Sequence, residues 1–122
     1  MDIAQLITEE ARTSAAYRSK WVGAIGGEEV TFYAKPLCAA DFEYLAKRGV
    51  RDFMVNPTLT GMVEMIIHKA ELENGTRVFK PNRDAPIMKK WDQSKIGDIF
   101  GELFGEQLEP ETEEGFEERV KN

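Results

Sequence analysis

Cysteine is nearly missing from this chain: Cys38 is the only one among 122 residues. One thiol rules out an internal disulfide. It also rules out zinc sites of the cysteine type, which need several thiolates at fixed spacing. A lone cysteine of this kind reads more simply as a small buried hydrophobe than as a reactive thiol. Histidine is as scarce, with His68 alone, and no nucleophile or metal ligand is placed to make a catalytic centre with it. His68 is expected on a helix surface, with Glu64 and Glu71 at helical spacing. Long apolar runs are also missing. No stretch reaches the roughly 18 to 20 residues of a membrane span, and Met1–Leu6 lacks the basic start and apolar centre of a signal peptide. The expectation is a cytoplasmic protein with no membrane partner.

The charge pattern lacks a basic stripe. Net charge is −6, and residues 106–122 hold seven acids (Glu106, Glu109, Glu111, Glu113, Glu114, Glu117, Glu118) against Arg119 and Lys121. That segment carries −5 and leaves −1 for everything before it. Phosphate neutralisation needs clustered lysine and arginine, so no nucleic-acid partner is expected. The P-loop, the dinucleotide-binding glycine pattern and the nucleophile elbow are all missing. The acidic end has no central glycine or alternating oxygen ligands of an EF-hand. No catalytic residue, cofactor or metal site is therefore expected, and the chain reads as a binding protein rather than an enzyme.

What is present is a globular composition, 42% hydrophobic and 31% charged, enough for one modest core. Ile3, Leu6 and Ile7 fall at helical spacing behind Asp2, a cap residue, so residues 2 to about 15 read as a short helix. Trp21–Ile25 and Val30–Ala34 flank Gly26-Gly27, whose positive φ angles suit a tight hairpin turn. Val30, Phe32 and Ala34 alternate with Thr31, Tyr33 and Lys35, the period of a half-buried strand, and Pro36 closes it. The hairpin is placed at about 20–36.

Helices are expected at about 39–48, 57–72, 84–91 and 94–106. In the first, Phe42 and Leu45 point inward and Gly49 is the stop. Asn56-Pro57 opens the second, with Leu59, Val63, Ile66 and Ala70 as its apolar face, broadened by Met62, Met65 and Ile67. Asn74-Gly75 makes a turn, followed by Thr76–Phe79 as a short strand or extended link. Asp84 caps the third helix, with Ile87 and Trp91 four residues apart. The fourth starts at Asp92 or Ser94, and Ile96, Ile99, Phe100, Leu103 and Phe104 fit an amphipathic stripe. Gly97, Gly101 and Gly105 recur beside it, where another helix could approach closely, whether within the chain or from another copy in a homo-oligomer. Residues 108–122 cannot bury enough apolar surface to overcome chain entropy and are expected to form an acidic, flexible tail. The expected fold is α+β and mainly α, one globular domain over 1–107: a hairpin, then a small bundle of about four helices.

Two stretches carry a family resemblance. Glu28–Phe42 looks like a strand followed by a leucine and a polar helix start. Met62–Phe104 is centred on Ala70-Glu71-Leu72-Glu73-Asn74-Gly75-Thr76-Arg77-Val78-Phe79, an acidic residue, a glycine and then a phenylalanine between helices. Ile87–Trp91 and Ile96–Leu103 stand as two closing helices. This order resembles the tail assembly chaperones of long-tailed bacteriophages and prophages, over most of residues 28–105. The segment Lys80–Asp84 departs from the acidic pair that often follows the phenylalanine in that family. The resemblance implies a protein that binds the long apolar helical tape-measure protein, keeps it dispersed and helps recruit tail-tube subunits. It implies no chemistry. The rival reading is a minor tail or head–tail connector component.

A helix-binding surface needs an apolar groove lined by adaptable side chains. Met62, Met65, Met88, Phe100, Leu103 and Phe104 are the candidates for contacting a partner, with Met54 beside them. The alternative, simpler residue by residue, is that they fill the core.

Overall fold

The computed structural model describes residues 2–108. Among them the order is helix α1 (Ile3–Ala16), strands β1 (Ser19–Ile25) and β2 (Glu28–Ala34), then helices α2 (Ala39–Lys47), α3 (Leu59–Lys69), α4 (Pro81–Met88) and α5 (Gln93–Leu108). The chain is thus α+β and mainly α. The expected acidic tail lies outside the described residues, except that α5 runs to Leu108.

β1 and β2 pair antiparallel from Ser19↔Ala34 to Ile25↔Glu28. Gly26 (φ 62°) and Gly27 (φ 83°) supply the two left-handed positions between them, as a two-residue turn of this hand requires. A third segment extends this sheet beyond its two strands. Tyr33 exchanges backbone hydrogen bonds of 2.8 Å with Glu71 in both directions, and Glu71 bridges on to Arg77. Residues 76–79 are therefore an extended link that meets the sheet at a single bridge. Gly75, at φ 87°, makes the intervening turn.

One face of the hairpin lies on α5. Trp21 and Phe32 are buried and stack with ring centroids 5.6 Å apart, and Phe79 meets Phe32 edge-on at 5.3 Å. The indole N–H of Trp21 donates to Asp98 on α5 at 2.8 Å, so Asp98 anchors the sheet to that helix. A side chain at Gly23 would run into the Trp21 ring. The glycine is what lets the indole fold flat along its own strand.

α3 crosses the centre of the molecule, with Val63, Met65, Ile66 and Ile67 buried and Ala70 buried at its end. Its cap is Thr58, which accepts from the Gly61 N–H at 3.1 Å. The expected start at Asn56-Pro57 is displaced by two residues, because Asn56 is taken up by the preceding turn, its N–H donating to the Asp52 carbonyl. α4 starts earlier than expected, at Pro81, where a missing N–H costs nothing. Asp84 reaches back from the first turn to the Lys80 N–H at 2.7 Å, so it helps cap this helix from inside it. The helix ends at Met88 and leaves Ile87 exposed. α2 occupies the expected span and ends through Arg48 at Gly49, φ 89°.

All five stripe residues of α5, Ile96, Ile99, Phe100, Leu103 and Phe104, are buried. Its start is held by Asp92, which accepts from the Ser94 N–H at 2.8 Å and the Ser94 hydroxyl at 2.7 Å. Within the chain, the glycines beside the stripe admit no neighbouring helix among the described residues. At Gly97, Gly101 and Gly105 an added methyl group would meet nothing within 4 Å. The glycine that does admit a neighbour is Gly61 on α3, where a methyl group would collide with Phe53 and press on Val50.

α1 forms where expected. Asp2 and Gln5 make a reciprocal cap, Asp2 accepting from the Gln5 N–H at 2.8 Å and Gln5 from the Asp2 N–H at 3.1 Å. Its apolar stripe, however, is not covered. Ile3, Leu6 and Ile7 are 70%, 49% and 65% exposed, and among the described side chains the core contains none from α1.

Candidate functional site

Of the six side chains proposed to meet a partner, Met65, Met88, Phe100, Leu103 and Phe104 are buried, each 5% exposed or less, and Met62 is half-buried against the same core. A covered side chain cannot offer itself to a docking chain, so these residues hold the fold together in this conformation. Periodicity identified them as apolar faces but could not say which neighbour would cover them.

The apolar surface that is left open lies elsewhere. After α2 the chain turns through residues 50–56. Asp52 sits at φ 56°, a left-handed conformation that aspartate tolerates better than most residues. The turn drives Phe53 into the core, where its ring meets Phe100 edge-on at 5.6 Å. The next two residues point outward, Met54 at 54% and Val55 at 82% exposure. With Phe42, Ala46 and Val50 they line a groove of about 640 Å³ between α2 and the turn. Glu43, Arg51 and Asp52 add charged groups to its lining. The uncovered face of α1 is the second open apolar surface.

The polar groups concentrate on the seam between α2 and α3. Asp41, in the first turn of α2, is buried. Its carboxylate meets His68 Nε2 at 3.0 Å, the Lys69 ammonium at 3.0 Å and the Cys38 N–H at 2.9 Å. A carboxylate only accepts, so the proton on His68 is assigned to Nε2. Burial pushes the Asp41 carboxyl up. The hydrogen bonds from His68, the Cys38 amide and Lys69, with the charge of Lys69, outweigh it and hold the group well below the usual carboxylate range. His68 stacks flat on Tyr44, ring centroids 3.9 Å apart. Arg48 pairs with buried Glu64, and that hydrogen bond raises the Arg48 guanidinium further above its ordinary value. Lys69 also donates to the Pro36 carbonyl at 3.1 Å.

This seam corrects two expectations. His68 is not a free surface histidine flanked by Glu64 and Glu71. It is held between α2 and α3 by a carboxylate 27 residues away in sequence. Cys38 is exposed, because it occupies the position just before α2, where its backbone rather than its thiol is used. The ion pairs clamp two helices, and every buried side-chain polar atom among the described residues has a partner. Among those residues no group of three or more histidine, cysteine or acidic side chains could hold a metal, and no helix is long and apolar enough to cross a membrane.

No protein-family model, curated protein or solved structure matches the chain. The class defined by fold and surface is a small α+β protein with an uncovered apolar groove and an uncovered amphipathic helix.

Proposed function

We propose that the chain is a tail assembly chaperone of a long-tailed bacteriophage or prophage, acting in the host cytoplasm by binding other proteins rather than by catalysis. The observation that carries the reading is the open groove of Phe42, Ala46, Val50, Met54 and Val55. A helix such as those of a tape-measure protein would lay its apolar face there, with anchors one turn apart. The flexible thioether of Met54 suits a surface that must follow many different side chains in turn. The resemblance over residues 28–105 supplies the partners, tape-measure and tail-tube protein.

Co-expression with each partner followed by affinity capture tests this. Capture of the tape-measure protein, weakened at least tenfold by Met54→Glu with Val55→Glu, is the expected result. Both side chains are exposed, so the double variant keeps its fold, which circular dichroism checks. Retention of neither partner by the unaltered protein overturns the proposal.

A further inference from the structure

Two apolar surfaces of this chain lack a neighbour, and they differ in form. One is a rod: α1 has 14 residues, about 21 Å of helix, with Ile3, Leu6 and Ile7 exposed along it. The other is a trough, the groove between α2 and the turn after it, and no described residue of α1 lines it. The root of α1 is fixed on the sheet. Arg18, two residues beyond its end, donates to Glu71 at 3.0 Å, to the Leu72 carbonyl at 3.2 Å and to the Glu73 carbonyl at 2.9 Å. The apolar face of the helix is thus held out from the body.

Charge selects what can cover that face. The stripe of α1 carries one charged group, Glu10, which follows Leu6 and Ile7 by one turn. Arg12 lies nine residues from Ile3, about two and a half turns on, and so stands on the opposite side of the helix, where it pairs with Glu9 at 3.3 Å. Two copies of α1 laid face to face would therefore enclose two carboxylates and no cation, a costly arrangement. A lipid surface also fits poorly, because helices that lie on membranes are rich in lysine and arginine on the polar face, and α1 has Arg12 alone against Glu9 and Glu10. The groove supplies the missing cation. Arg51 is in its lining with Glu43 and Asp52, and Lys47 follows Glu43 by one turn on the same side of α2. Arg51 and Lys47 are exposed, and neither is in an ion pair among the described residues.

We infer that α1 of one copy lies in the groove of a second copy, with Ile3, Leu6 and Ile7 against Phe42, Val50 and Met54 and with Glu10 paired to Arg51. The contact joins two different surfaces, so each copy has one helix to give and one groove to receive. The monomer, with α1 uncovered, prevails at dilution. The inference uses the groove assigned above to a foreign helix but does not rest on that assignment. A foreign helix would compete with α1 for the same place.

Analytical ultracentrifugation of the full chain by itself provides the test. No tail protein is present, so the result is separate from that of the capture experiment. The unaltered protein is expected to associate as its concentration rises. Leu6→Glu with Ile7→Glu disables the helix, and Met54→Glu with Val55→Glu disables the groove. All four positions are exposed, and circular dichroism checks that both variants keep the fold. Each is expected to associate at least about tenfold more weakly, because the contact would enclose unpaired carboxylates. Mixed, the two variants complement each other. The intact helix of the groove variant meets the intact groove of the helix variant, giving a one-to-one pair that neither forms alone and that grows no further. Adding Glu10→Arg to the groove variant weakens this pair, and adding Arg51→Glu to the helix variant restores it. A chain that stays monomeric at every concentration overturns the proposal. So does association that survives either double variant, a mixture that forms no pair, or charge reversals that fail to compensate.

Discussion

α1 and α5 are alike on paper. They have 14 and 16 residues, each begins at an acidic residue that caps it, and each carries isoleucine and leucine or phenylalanine at helical spacing. α5 buries its entire stripe, whereas α1 buries none of its own. The difference lies in continuity. The stripe of α5 runs unbroken from Ile96 to Phe104, more than two turns. In α1 the position that would extend the face beyond Ile3, Leu6 and Ile7 is Glu10, so only the first two turns are apolar. Most helical stability comes from tertiary packing, and α1 must rely on its cap and its own hydrogen bonds. Spacing thus predicts that a helix forms. Whether it is buried depends on stripe length and on an unfilled face elsewhere to receive it.

Substitutions can break this contrast. Leu103→Ala in α5 should cost about 2 to 5 kcal/mol, while Leu6→Ala in α1 should stay within about 0.5 kcal/mol. Urea unfolding of both variants measures this, and equal losses would mean that α1 is covered after all.

Glycine offers a sharper version. Gly61→Ala places a methyl group against Phe53 and Val50. It should destabilise by about 1 to 3 kcal/mol through overpacking. Gly101→Ala meets open space on its helix and should stabilise by up to about 1 kcal/mol, the propensity difference between the two residues. Thermal melts of the two variants should shift in opposite directions.

The seam between α2 and α3 gives a pH test. The folded-state pKa of Asp41 is depressed. Its contribution is therefore complete above the unfolded value of about 3.9 and is lost as pH falls below that toward the folded pKa. Acid unfolding of the unaltered protein should steepen below about pH 4. Asp41→Asn should be less stable at neutral pH and should show a flatter acid limb. Parallel curves for the two proteins would remove Asp41 from the acid transition.

The smallest effect is local. Asp2→Ala removes a cap worth about 0.5 to 2 kcal/mol to its helix. Because α1 adds no described side chain to the core, amide exchange should quicken in α1 alone, with global unfolding unchanged.

Much of the fold was legible in sequence. Adjacent glycines between alternating strands gave the hairpin, and Gly49 set the end of α2. The α5 stripe was read correctly in every residue. Cap choice was less legible, since Asn56 and Thr58 are both good caps and only the turn at Asp52 decides between them. The candidate site was legible in composition but not in place. Met65, Met88 and Leu103 looked as available as Met54 until α3, α4 and α5 were set against one another. The pairing of Asp41 with His68 gave no signal, because it joins residues from two helices.

One contact on the opposite rim of the sheet bears on how the protein behaves in a crowded cell. In the described residues no strand pairs with the outer edge of β1, and the Lys95 ammonium donates to the Ala24 carbonyl there at 2.8 Å. An open edge is a template for strand addition and fibre growth, and a lysine laid across it is a common deterrent. Losing that amine would leave the folding energy almost untouched while raising the tendency to aggregate on storage.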